Sequence, residues 1–184
     1  MSATLYICER NGSAPGNVTE NISVINWKAT DNSNSVYLQA GDPVNAGTNS
    51  YEKYNYLKFV GNFTSIGNIQ ITRVSDNLPY GVKLYSSRTA SVSTDCFPYS
   101  TPVRTQSTKA TVDISNNGSV VGLLVGPQKG NVDPAAPGLK SAVGYKLANT
   151  ALYSNYLVTQ LQTTQSAVTN DLTGISLSIS YDET

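Results

Sequence analysis

The chain has 184 residues, with 12 Lys and Arg against 12 Asp and Glu and no histidine. At 13% charged residues and zero net charge, it has no field to draw in nucleic acid or an anionic membrane. The missing imidazole excludes Ser-His-Asp and Cys-His catalysis and removes the commonest zinc ligand.

The N-terminal stretch Met1 to Cys8 has neither the basic region nor the apolar run of a signal peptide, and no later stretch reaches the ~20 apolar residues of a membrane span. The chain therefore reads as made and folded in a cytoplasm. Ala3 to Glu9 predicts a first strand. Ile22 to Lys28 carries apolar groups on both alternating faces, the pattern of a strand between two layers. Tyr51 to Val60 is dense in aromatics, and Ile66 to Val74 alternates Ile69 and Ile71 with Gln70 and Thr72. Val82 to Tyr85, Thr108 to Ile114, Ser119 to Val125 and Ala151 to Gln162 follow as further strands. Leu139 to Ala148 has room for a helical turn or two, weakened by Gly138 and Gly144. The run Gly174 to Tyr181, with Ile175, Leu177, Ile179 and Tyr181 opposite serines, is the clearest half-buried strand.

Turn chemistry separates these runs at Asn11-Gly12, Ser65 to Asn68, Leu78 to Gly81 and Asn116 to Gly118. Ser, Thr and Asn number 22, 19 and 18, so hydroxyls and amides rather than charges keep the chain soluble. Short strands with such punctuation predict an all-β fold: one β-sandwich, jelly-roll or Ig-like, spanning residues 1–184 with long irregular loops at 29–50, 86–107 and 126–140. Loops of that length are commonly functional.

Motifs that could carry chemistry are weak. Gly126-Pro127-Gln128-Lys129-Gly130 lacks the Gly-Lys-Ser/Thr core of a phosphate loop. Carboxylates are scattered through turns, where they cap backbone N–H groups, and no spacing selects a glycosidase pair. Asp31-Asn32-Ser33-Asn34 offers oxygens to calcium but no bidentate glutamate completes the loop. Sequons at Asn17, Asn21, Asn62 and Asn117 match the number chance gives. Cys8 and Cys96 fit either a disulfide or two buried thiols. No cofactor or metal is expected, and the chain reads as a non-enzyme.

The 12 tyrosines invite a functional reading. Tyr51, Tyr54 and Tyr56 form one group, Tyr153 and Tyr156 another. Half-buried strand tyrosines are the ordinary outcome; protein interfaces come second and glycan binding third. A nucleic-acid platform would need more interleaved cations than Lys53 and Lys58.

The stretch Asn49 to Phe59 (NSYEKYNYLKF), followed by Gly61-Asn62-Phe63-Thr64-Ser65-Ile66 and Asn68-Ile69, resembles a pattern of tailed-bacteriophage virion structural proteins. Those proteins pair a SYEKW-like strand with a G-x-F-x-x-I-x-N-I strand and often end on a strand reading Tyr-Asp-Glu, as Tyr181-Asp182-Glu183 does. Tyr54 stands where the pattern has tryptophan. The resemblance implies a particle component: a capsid decoration protein bridging capsid subunits, or a neck or tail part. Its partners would be copies of itself and neighbouring virion proteins, with no nucleic acid or membrane. Candidate interface residues are Asp42, Tyr51, Tyr54, Tyr56, Phe97, Tyr99, Arg104, Gln128, Lys129 and Pro134. The alternative from another class is a glycan- or receptor-binding module built on Tyr51, Tyr54 or Tyr56; a carboxylate hydrolase is a weaker third.

Overall fold

The computed structural model describes residues 2–32, 42–75, 78–126, 140–146, 151–168 and 175–184. The strands are β1 (Ala3–Asn11), β2 (Asn17–Thr19), β3 (Lys53–Gly61), β4 (Ser65–Arg73), β5 (Val82–Ser86), β6 (Val112–Asp113), β7 (Val120–Leu123), β8 (Val143–Tyr145), β9 (Leu152–Tyr153), β10 (Leu157–Thr163) and β11 (Leu177–Glu183). All pairings are antiparallel. The larger sheet runs β2-β1-β3-β10-β5-β6, with β9 also on β3; the smaller runs β11-β4-β7, with β8 also on β4.

The two sheets face each other across an apolar core. Leu57 and Phe59 of β3, Leu84 of β5 and Leu157 and Leu161 of β10 meet Ile66, Ile69 and Ile71 of β4 and Val121 and Leu123 of β7. Each such side chain contributes about 1.5–3 kcal/mol by leaving water. Leu177, Ile179 and Tyr181 of β11 close the core only in part, since this strand forms an edge. The all-β sandwich is thus the architecture.

Several local expectations change. Residues 22–28 form no strand; the segment packs against the core between the sheets, where Ile25 meets residues of both and the Trp27 indole N–H donates to Thr159 Oγ1 at 3.0 Å. Both of its faces are apolar because it is packed cover, not because it pairs. Ser65 to Asn68 is no turn but the start of β4, with Asn68 at φ 49° absorbing the irregularity opposite Ser180 and Asp182. Residues 143–145 form a strand, β8, not a helical turn. The predicted strand at 108–114 shrinks to Val112–Asp113.

The strand expected at 151–162 breaks in two. Its register on β3 slips by one residue, from Phe59↔Leu152 to Asn55↔Leu157. The bulge holds Ser154 and Asn155, which join both sheets: Ser154 bonds both ways with Leu57, while Asn155 bonds both ways with Leu124 just beyond β7.

Candidate functional site

The long connection at 86–107 first runs along β7, where Thr89 and Ala90 bond Gly122 and Ala90 and Cys96 pack on Leu124, and from Phe97 on it forms a third layer. This later part packs on the outer face of the larger sheet and turns the tyrosines there into a second core. Alternation places Tyr54 and Tyr56 of β3 on the face opposite Leu57 and Phe59. Tyr54 is 0% and Tyr56 4% exposed. Tyr156 sits between them, edge-on to Tyr54 at 5.5 Å and to Tyr56 at 5.6 Å, and Tyr99 from the covering segment meets Tyr54 edge-on at 5.0 Å. Such pairs add ~0.5–1.5 kcal/mol each beyond area burial. Phe97, Cys8, Ala110 and Val158 complete the cluster. Tyr99 donates to the Gly12 carbonyl at 2.5 Å, while Arg10 lies over its ring at 5.4 Å.

Polar side chains pin this layer. Glu52, 0% exposed, accepts from Ser107 Oγ at 2.5 Å and Tyr54 OH at 3.2 Å, with Lys109 Nζ at 3.6 Å. Gln160, also 0% exposed, accepts from Ser107 N–H and donates to the carbonyls of Ser50 and Thr105. Each group holds a backbone segment that pairs with no strand. Burial pushes the Tyr54, Tyr56 and Tyr99 phenols well above their ordinary value of 10.0.

A second polar cluster lies on the inner face, at the end covered by residues 22–32. Lys53 Nζ bonds Glu9 Oε1 at 3.0 Å and the Asn32 carbonyl at 2.9 Å. Asn11 Nδ2 donates to the same Glu9 oxygen at 3.4 Å. Asp31 Oδ2 accepts from Gly12 N–H at 2.8 Å, and burial raises the Asp31 carboxyl above the usual carboxylate range.

Of the ten candidate interface residues, Tyr54, Tyr56, Phe97 and Tyr99 come together, but inward. Tyr51 is half-buried, donating its N–H to the Lys28 carbonyl; half-buried Asp42 accepts Ala29 N–H on its carbonyl, and half-buried Arg104 holds the Asn49 carbonyl at 3.0 Å. Gln128, Lys129 and Pro134 lie outside the described residues, as does all but the rim of the 126–140 loop. Among the described residues the solvent-facing tyrosines are Tyr80 and Tyr145, at 77% and 59% exposure. In the Asp31 to Asn34 stretch, Asn32 takes the Lys28 ammonium at 2.6 Å, and residues 33–34 lie outside the described set. Cys8 and Cys96 are buried free thiols in separate clusters; burial pushes the Cys96 thiol up to about 11. Among the described residues no group of three or more Cys, Asp or Glu side chains converges on one point.

The sequence marks none of Glu9, Asn11, Glu52, Lys53 and Gln160 as a site residue, although Asn11 stands out in a turn and Lys53 as a cation beside the tyrosines. The available signal was a Glu-Lys pair inside an aromatic strand run of a chain otherwise poor in charge. No protein-family model, curated protein or solved structure matches the chain.

Proposed function

We propose that the protein is a non-enzymatic structural component of a tailed-phage particle, a capsid decoration protein that bridges neighbouring capsid subunits. The observation that carries this is the outward face of the smaller sheet. Asn68, Gln70 and Thr72 of β4 lie beside Ser178 and Ser180 of β11, a field of amides and hydroxyls without a lysine or arginine, in which the Asp182 carboxylate is already engaged by Asn68 Nδ2 at 2.5 Å. Burying such groups against a neighbour costs less than burying ammonium or carboxylate.

The rim of that face is also open. Val74 N–H bonds the Ser176 carbonyl, so the even-numbered residues of β11 face β4 and Leu177, Ile179 and Tyr181 turn their backbone groups outward. Among the described residues nothing pairs with this edge. The other edges end in short strands or, at β7, are capped by Thr89 and Ala90. The stretch resembling virion proteins supplies β3 and β4, one central strand of each sheet.

A neck or tail component would use the same face. The glycan-binding alternative loses its platform, because Tyr54 and Tyr56 lie beneath the covering segment. Add-back to stripped particles tests the proposal. Ser178→Lys with Ser180→Lys should keep the fold and weaken association at least tenfold, and imaging should place the wild-type protein on the shell. Undiminished association of the double variant, or no association of the wild type, counts against it.

A further inference from the structure

The Glu9, Asn11 and Lys53 cluster contains the three groups needed to join two strands covalently. We propose that Lys53 and Asn11 form an intramolecular isopeptide bond, with Glu9 as the proton-transfer group.

The topology brings the reactants together. The β1–β3 register runs to Arg10↔Tyr54, so Asn11 and Lys53 are opposed one step further along, on the same face as Glu9. Lys53 Nζ and Asn11 Nδ2 bond to one carboxylate oxygen, at 3.0 and 3.4 Å, so they are no farther apart than those two lengths together. Water is excluded: Lys53, Glu9 and Asn11 are 1%, 2% and 7% exposed. Thr159, opposite Lys53 on β10, is covered by the Trp27 indole.

An amine and a carboxamide do not react in water because the amine is protonated and the amide is a poor electrophile. Here a buried ion pair can pass a proton from Nζ to Glu9, leaving a neutral amine beside a neutral acid. Nζ attacks Asn11 Cγ, forming the Nζ–Cγ bond. The Cγ–Nδ2 bond then breaks, its electron pair leaving with Nδ2. Two protons leave Nζ in all: one departs on ammonia and the other stays on Glu9, so no buried charge remains. Nothing is oxidised or reduced and no co-reactant is needed. Fixed proximity supplies the advantage of an intramolecular reaction, and a carboxyl in hydrogen-bond reach of both nitrogens moves the protons.

One competing reaction starts from the same carboxamide. Asn11 precedes Gly12, whose N–H could attack Cγ to give a succinimide, also with loss of ammonia. That N–H is instead engaged by Asp31 Oδ2 at 2.8 Å.

Intact-mass measurement of the full chain, fresh and after prolonged incubation, tests the proposal. The wild type should weigh about 17 Da less than its sequence requires, one ammonia. Proteolysis should yield a branched peptide joining the segments that contain Asn11 and Lys53. Lys53→Arg and Glu9→Gln should each restore the full mass. A wild type at full mass overturns the proposal whether or not the variants fold. So does a deficit that persists in Lys53→Arg, which marks the succinimide. A loss of about 18 Da, one water, also overturns it, since it places the link on Asp31 or Glu9 rather than Asn11.

Discussion

Asn155 and Leu124 exchange hydrogen bonds across the gap between the sheets: Leu124 N–H donates to Asn155 Oδ1 at 2.7 Å, and Asn155 N–H donates to the Leu124 carbonyl at 2.9 Å. Both residues are buried, at 3% exposure. Asn155→Ala keeps the second bond and leaves the Leu124 N–H without a partner, a loss of ~1–3 kcal/mol. The urea midpoint should fall with the denaturant slope unchanged. A midpoint at the wild-type value would show that the bulge does not couple the sheets.

The covering segment depends on a missing side chain. A Cβ on Gly16 would lie 2.6 Å from the Tyr99 ring, and Gly16 has φ +74°, so any replacement adds strain to collision. Gly16→Ala should cost ~1–3 kcal/mol and displace Tyr99. Faster amide exchange or proteolytic cutting across 93–101, with β3 and β4 still protected, is the expected signature.

Tyr54 separates ring packing from its hydroxyl. Tyr54→Phe removes the donor to Glu52 and the contact with Ser100 but keeps the edge-on rings, so a loss of ~1–2 kcal/mol is expected. Tyr54→Ala also empties the space between Tyr99 and Tyr156, for ~3–5 kcal/mol. Chemical denaturation of both variants would test the order; equal losses would mean that the hydroxyl carries everything.

High pH should unfold the protein sharply. The Cys8 and Cys96 thiols and the Tyr54, Tyr56, Tyr99 and Tyr153 phenols all have raised values, with burial as the leading cause. The folded chain keeps protons that the unfolded chain releases. Stability is therefore intact below the ordinary thiol value, near 9, and falls as pH climbs through the ordinary phenol value, near 10. In a Tyr80→Phe, Tyr145→Phe background, which removes the two exposed phenols of the described residues, the absorbance of the Tyr54, Tyr56, Tyr99 and Tyr153 phenolates should rise together with loss of circular dichroism. Ionisation of those four with the fold intact would contradict burial of the cluster.

Period-two alternation made β1, β3, β4, β5, β7 and β11 legible, because each presents one face to a continuous apolar core. It misread the segments that cover the sheet. Ile25 and Trp27 are apolar for packing, and no local pattern distinguishes that from pairing. The bulge at Ser154 and Asn155 was hidden for a related reason: it exists to meet Leu124, thirty-one residues away. At the candidate site, the tyrosines were visible as a group but not the direction they face, which depends on a third layer supplied by the later part of the 86–107 connection, from Phe97 on. The Glu9, Asn11 and Lys53 cluster required the β1–β3 register, which only tertiary pairing provides.

The last strand has a consequence for the order in which the molecule can be built. Tyr181 of β11 stacks edge-on against Phe59 at 5.0 Å, and Glu183 accepts the Ala3 N–H at 2.9 Å. During synthesis, β1 and β3 can pair early, but their apolar face stays uncovered along this side until residues 177–183 emerge. Closure of the sandwich therefore waits for β11 and joins residues 180 positions apart, the regime in which folding is slow and exposed strands meet other chains.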